Sequence, residues 1–305
     1  MASNKPLLIC IVGPTAIGKT SLAIAIAKSF NTEIVSADSR QFFKEMRIGT
    51  AVPSSEELAT VAHHFIQNKS IFDSFSVGDF EREALLKLDE LFQKHEVVVM
   101  VGGSGLYVDA LIKGLDDFPG VPSAVRIKLN KELEENGIEA LQLELEQADP
   151  VYFQKVDSNN PHRLIRALEI FRSTGKPYSS FLNKNKKTRP FETQFIGLTA
   201  DREILYDRIN KRVDIMIQQG LLDEAKKLHH YKDLNTLQTV GYRELFQYFD
   251  GNLTKDEAID EIKKNTRRFA KRQGTWFRKN DDIKWFDYST NPSEITTYLH
   301  EKNAL

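Results

Sequence analysis

The sequence predicts an α/β protein in which a parallel sheet flanked by helices is interrupted by an all-helical insertion. Three observations predict it. Apolar runs of strand length at 7–12, 33–37, 96–101 and 194–198 are separated by stretches whose apolar residues fall at helical spacing. The first and third runs end in glycine-rich turns that open a helix, as strands do at the ligand-binding edge of an open sheet. Between 121 and 190 helical segments follow one another without a clear strand. The expected organisation is a core of 1–120 and 191–305 with an inserted domain of 121–190.

Composition sets the outer bounds. With 305 residues, 41% of them hydrophobic and 28% charged, the chain has ample apolar material for a large core. Lys and Arg number 42 against 43 Asp and Glu, so no global field favours nucleic acid or membrane, and any polyanion site must be local. A single cysteine, Cys10, lies inside the first strand, which excludes a disulfide within the chain and suits a reducing compartment. No apolar run approaches the ~18 residues of a membrane span, and residues 1–6 carry no signal-like apolar region. A cytoplasmic protein without membrane association is expected.

The first strand runs into Gly13-Pro14-Thr15-Ala16-Ile17-Gly18-Lys19-Thr20, and an Ala-rich helical segment follows. G-x-x-x-x-G-K-T between a strand and a helix is the phosphate-cradling P-loop, so the sheet is expected to be P-loop NTPase-like. Gly13 and Gly18 let backbone N–H groups turn inward, Lys19 can reach terminal phosphates, and the Thr20 hydroxyl can ligate Mg²⁺. The chain is therefore expected to bind a di- or triphosphate, or another pyrophosphate.

The second strand leads into Asp38-Ser39-Arg40-Gln41. A carboxylate at this edge can hold Mg²⁺ through water or act as a general base, or Asp38 or Ser39 can simply cap the turn. Ser54 should open a short helix, and the adjacent His63 and His64 point in different directions on any regular element, which gives them no ligand role. Helical spacing over 77–94 covers one face of the sheet. The strand at 96–101 ends in Gly102-Gly103-Ser104-Gly105-Leu106-Tyr107, where backbone and hydroxyl can approach a ligand or a helix can pack tightly.

Within the insertion, Ser123 is expected to cap a helix ending at Gly137, 138–147 forms another, and Asn160-Pro161 opens a third that Gly175 closes. Near the start of that third helix stand His162, Arg163 and Arg166. They form a phosphate-binding group, or a solvated face on which Arg166 pairs with Glu169. A basic link over 184–189 leads back to the sheet, Asp201 is expected to cap the helix carrying Arg208 and Arg212, and 283–286 with a short helix at 295–300 closes the fold. Over 263–279 eight of seventeen residues are Lys or Arg, none is acidic, and Phe269, Trp276 and Phe277 are interleaved. In a neutral chain such a segment points to phosphate-backbone binding.

Together these pieces resemble the tRNA dimethylallyltransferase family, the tRNA isopentenyltransferases. The resemblance rests on the P-loop residues, Ser36-Ala37-Asp38-Ser39-Arg40-Gln41, Gly102 to Tyr107, and Asn160-Pro161-His162-Arg163-Leu164-Ile165-Arg166. It continues through Arg208-Ile209-Asn210-Lys211-Arg212, Gln219-Gly220-Leu221, Val240-Gly241-Tyr242-Arg243, and Arg268 through Lys271, Arg272 and Gln273 to Phe277, in family order over about 8–280. It implies transfer of a dimethylallyl group from dimethylallyl diphosphate to the N6 amine of the adenine just 3′ of the anticodon, in tRNAs reading U-initial codons.

On this resemblance Gly13 to Thr20 hold the pyrophosphate, Thr20 supports Mg²⁺, and Lys19 and Arg212 neutralise the leaving group. Asp38 deprotonates the amine, with Ser104 beside it. The tRNA path is lined by Asp38, Ser39, Arg40, Gln41, Ser104, Arg126, the run from His162 to Arg166 including Leu164 and Ile165, and Lys271 with Arg272. The partners implied are dimethylallyl diphosphate and the tRNA anticodon stem-loop, with the enzyme a monomer. Ser104 stands where the family commonly has Thr, Ala62 where a proline is frequent, and no zinc-finger pattern follows the basic segment, as in the compact bacterial form. Three other readings are a small-metabolite kinase, an adenylate isopentenyltransferase and an RNA-binding protein with an inactive P-loop. The first leaves the insertion and basic segment without a role, that segment argues against the second, and intact Lys19 and Thr20 argue against the third.

Overall fold

The apolar runs that the sequence offers as strands pair into one parallel sheet in the computed structural model, which describes residues 5–182 and 187–303. The strands β1 (Leu7–Val12), β2 (Ile34–Ser36), β3 (His63–His64), β4 (Val97–Val101), β5 (Glu192–Thr199) and β6 (Ile283–Asp287) lie in the order β3-β2-β4-β1-β5-β6. All neighbouring pairs are parallel. Central β1 is buried along its whole length, and its side chains alternate between two cores: Leu8, Cys10 and Val12 enter one, Leu7, Ile9 and Ile11 the other. A strand covered on both faces must be apolar throughout, which is why it reads as a run without alternation. Burial pushes the Cys10 thiol well above its usual pKa, so it behaves as a small apolar side chain.

Helices cover both faces. On one side α1 (Lys19–Ser29) contributes Leu22, Ala23, Ile26 and Ala27. After α2 (Ser55–Thr60), whose Ser54 and Glu57 form a capping box, α3 (Val77–Phe92) and α4 (Gly105–Lys113) pack on the opposite face. The chain then enters a second unit built from α5 (Ser123–Asn136), α6 (Ile138–Ala148), α7 (Pro150–Phe153) and α8 (Pro161–Thr174). Beyond β5, the helices α9 (Arg202–Gln218), α10 (Leu221–Leu228), α11 (Tyr242–Phe249) and α12 (Lys255–Phe277) extend the core shared with α3, and α13 (Pro292–Asn303) places Ile295 and Leu299 in the core shared with α1. No described helix is long and apolar enough to cross a membrane.

The structure amends several expectations. The second unit spans 114–188, not 121–190, because the turn-rich entry packs within it: Phe118 stacks on Tyr178 and Lys187 pairs with Asp117. Of the basic link expected over 184–189, Lys184, Asn185 and Lys186 lie outside the described residues. Pro122 takes the cap position of α5, leaving Ser123 as its first helical residue, and Asp201 precedes α9 without a side-chain capping bond. His63 and His64 form the edge strand β3, where His64 Nε2 lies 2.7 Å from a Glu33 carboxylate oxygen. The segment 283–286 adds the opposite edge strand, β6.

The start of β5 is pinned by charge. Arg189 donates to Glu81 on α3 at 2.7 Å and to the carbonyls of Ala110 and Leu111 on α4 at 2.8 and 2.7 Å. Both charged side chains are almost wholly out of water, at 10% and 9% exposure. Removing one partner of a buried pair strands the other charge, whereas an exposed pair contributes little. Glu81→Ala should therefore cost about 3 kcal/mol or more in denaturant unfolding. Glu135→Ala, which breaks the exposed pair with Lys131, should cost less than about 0.5 kcal/mol.

Candidate active site

The site is built where strands β1, β2 and β4 end. After β1 the backbone turns through Gly13 to Gly18, whose φ of +109° marks the left-handed entry to α1. Lys19, the first helical residue, folds back so that its Nζ donates to the Pro14 carbonyl at 2.7 Å. Helix α9 brings two arginines to this loop: Arg208 Nε donates to the Ala16 carbonyl at 2.8 Å, and Arg212 is half-buried beside it. Burial lowers the Lys19 pKa to about 8, against the opposing pull of Asp38 and with help from Arg212. The Arg212 pKa is likewise lowered by burial, with Asp38 the leading favourable charge.

Beyond β2, Asp38 Oδ1 accepts the Arg40 N–H at 3.1 Å, so the turn-capping role weighed for Asp38 is present beside its place in the site. Ser104 follows β4; its Oγ accepts the Ser39 N–H at 3.0 Å and lies 3.1 Å from the Ser39 hydroxyl, tying the two strand ends together. Arg40 reaches the Thr236 carbonyl at 3.0 Å, while Gln41 Nε2 donates to the carbonyls of Thr50 and Ala51 at 3.1 and 3.0 Å.

Two cavities meet here. One of about 980 Å³ is lined by the P-loop, Gln41, the 47–57 segment, Arg208, Lys211 and Arg212. The other, of about 550 Å³, is lined by Ser39, Arg40, Ser104, Arg243, Arg272 and the half-exposed aromatics Phe269 and Trp276. Thr15, Asp38, Thr50, Arg212 and Met216 border both. A carboxylate and a cation thus stand at the junction of the P-loop cavity and a cationic, aromatic-lined one.

Gln273 is a site residue that residue-by-residue reasoning passed over. From α12 its Oε1 accepts the Thr15 N–H at 2.8 Å and its Nε2 donates to the Gly103 carbonyl at 2.9 Å, clamping the P-loop to the turn after β4. The signal was present: Gln273 lies on the buried stripe formed by Ala270 and Phe277, where an amide needs polar partners. Beside it, Trp276 Nε1 donates to Asp109 at 2.8 Å.

The other sequence-based candidates divide. Gln41, expected on the tRNA path, is in the wall of the P-loop cavity. Arg272 lines the second cavity, while Lys271 is exposed on α12 and lines neither. Arg126, His162, Arg163 and Arg166 belong to the second unit. There Arg126 forms a two-pronged pair with Glu169 at 2.7 and 3.0 Å, Arg166 pairs with the same carboxylate, and His162 and Arg163 are exposed. Leu164 and Ile165 are core residues, not RNA-facing ones, because both side chains are buried against Leu129, Leu141 and Leu145.

The family model described as IPP transferase matches residues 41–280. The chain belongs to this family. The tRNA dimethylallyltransferase of Christiangramia forsetii is 62% identical over 295 residues, covering 97% of this chain and 98% of that protein. The tRNA dimethylallyltransferase of Flavobacterium psychrophilum is 60% identical over 301 residues, with coverage of 97% and 98%. Among solved structures, the tRNA isopentenylpyrophosphate transferase of Bacillus halodurans matches with a TM-score of 0.72 and 41% identity, covering 98% of this chain and 97% of that one. A eukaryotic dimethylallyltransferase acting on tRNA matches with a TM-score of 0.79 and 27% identity, covering 98% and 76%. The P-loop precedes the family-model match, but the long relatives extend over nearly the whole chain, and the P-loop NTPase-like sheet agrees with these IPP transferase structures.

A lysine whose pKa is lowered carries its charge below that pKa and loses it above. An organic diphosphate that is fully ionised above pH 7 should therefore bind more weakly as pH rises past about 8. Titration calorimetry between pH 7 and 9.5 reads the change. In Lys19→Arg, whose side chain stays protonated, the affinity should be flat over that range.

Proposed function

We propose that this IPP transferase moves a dimethylallyl group from dimethylallyl diphosphate to the N6 amine of the adenine 3′-adjacent to the anticodon, in tRNAs reading U-initial codons. The observation that carries the reading is the shared wall, where Asp38 and Arg212 border both cavities. The P-loop cavity takes the diphosphate, and the second cavity takes an adenine swung out of the anticodon loop. The new N6–C1 bond forms as the allylic C1–O bond breaks, the electron pair leaves with diphosphate, and the N6 proton passes to the Asp38 carboxylate. Negative charge grows on the leaving oxygens, where Lys19, Arg212 and the P-loop N–H groups are already in place.

Mg²⁺ fits the donor set. Thr20 lines the P-loop cavity, and among the described residues its hydroxyl makes no hydrogen bond; Asp38, Glu56 and Glu57 are carboxylates lining the same cavity. A hydroxyl, a carboxylate and phosphate oxygens are the hard ligands this cation prefers, and when bound it would further neutralise the leaving group. Ser104 positions Ser39 at the acceptor side. Phe269 and Trp276 offer faces on which an unstacked base can lie, with Arg40, Arg243 and Arg272 for its phosphates. Lys271 on α12 and the exposed His162 and Arg163 of the second unit supply further phosphate contacts. The reading carries with it a cytoplasmic location.

The deciding assay offers labelled dimethylallyl diphosphate and Mg²⁺ with either unmodified tRNA or AMP, and ATP in place of the prenyl donor as a control. Label should enter tRNA alone; label in AMP, or phosphate transfer from ATP, overturns the proposal. Asp38→Asn should lower turnover by roughly 10²- to 10⁴-fold while tRNA affinity changes by less than about twofold. Replacing Lys271 and Arg272 together by Ala should weaken tRNA binding and reduce the slope of log K against log salt by about 1 to 2.

A further inference from the structure

The geometry points to Glu224 as a positioning residue that holds one wall of the P-loop cavity in its donor-binding form, although it lines neither cavity. Glu224 stands in the first turn of α10, and its carboxylate is surrounded by donors. It accepts the consecutive N–H groups of Arg47 at 3.1 Å, Ile48 at 2.9 and 3.0 Å and Gly49 at 3.0 Å, and the Tyr242 hydroxyl at 2.6 Å. Three successive N–H groups turned toward one point form a concavity that an anion completes. Without it the segment would keep inward-facing donors with no partner, and another backbone path would be preferred.

That segment is the cavity wall. Arg47, Ile48 and Thr50 line the P-loop cavity, and Thr50 also borders the second one. The turn closes on itself through Ala51 N–H to the Ile48 carbonyl at 2.9 Å and Val52 N–H to the Arg47 carbonyl at 3.1 Å, with Ala51 at a φ of +50°. Gln41 then binds the Thr50 and Ala51 carbonyls, joining the turn to the strand end that carries Asp38. Tyr242 is fully buried against the turn, and a Cβ at Gly49 would come within 2.6 Å of its ring, so only glycine fits beneath it. Burial and the neighbouring carboxylate raise the Tyr242 pKa, which keeps the hydroxyl a donor throughout the working range.

The inference rests on the reading of the P-loop cavity as the donor site, and its test separates the two. Glu224→Ala, Glu224→Gln and Tyr242→Phe are compared with the parent for Kd of an organic diphosphate without tRNA, for donor KM, tRNA KM and kcat, and for melting temperature. Glu224→Ala should raise the diphosphate Kd and donor KM about tenfold or more while tRNA KM stays within about twofold. Glu224→Gln, which keeps the shape but has one acceptor oxygen, should give a smaller rise, and Tyr242→Phe the smallest. A lowered melting temperature with unchanged diphosphate Kd and donor KM would make Glu224 a stabilising residue only and overturn the inference, as would equal rises in donor and tRNA KM. If Glu224→Ala does not fold, the two near-isosteric variants carry the same comparison. Failure of the parent to transfer label to tRNA would refute the functional reading, while diphosphate Kd still decides the role of Glu224.

Discussion

Two cations partly withdrawn from water around one carboxylate are the constraint on which the rest of the site depends. Lys19 and Arg212 are both half-buried, and Asp38 is the main opposing charge that each feels. Charge withdrawn from water is costly unless matched, so the two cations and the carboxylate depend on one another. The fold maintains that condition by placing the P-loop at the end of a strand covered on both faces, and by delivering Arg212 from a helix that packs into the same core through Val213.

The neighbouring parts of the site transmit this order sideways. Gln273 fixes the P-loop to the turn after β4, Ser104 fixes that turn to the one after β2, and Gln41 fixes the latter to the segment at 47–53. Each link is a side chain bonding to backbone across strand ends. Loops joined in this way can approach a ligand closely yet keep the geometry of the rigid sheet beneath them.

Much of this was legible in the sequence. Long apolar runs with punctuated ends identified β1, β2, β4 and β5, and the P-loop pattern located the turn between β1 and α1, because in both cases the local sequence must satisfy a strict backbone requirement. Two edge strands were harder to read. β3 consists of His63 and His64 alone, residues whose hydrogen bonding to β2 is decided by neighbours distant in the chain. Gln273 and Glu224 were not recognised for the same reason: their partners, Thr15, Gly103 and the 47–49 backbone, lie far off in sequence. In the second unit, the helix carrying His162 was bounded correctly at Pro161 and Thr174 and the pairing of Arg166 with Glu169 was one of its two readings, but nothing local revealed that Glu169 is buried and shared with Arg126.

Arg189 has a consequence for how the chain can vary. Arg189, just ahead of β5, bonds directly to the carbonyls of Ala110 and Leu111 near the end of α4, the last element before the second unit. The two ends of the intervening 114–188 segment are therefore fastened at one neck, and the pairing of β5 with β1 is closed by contacts that do not depend on the segment's length. Loop-closure entropy grows only slowly with the number of residues enclosed. A change in the length of that segment therefore costs the closure of β5 on β1 little, and the sheet keeps its register.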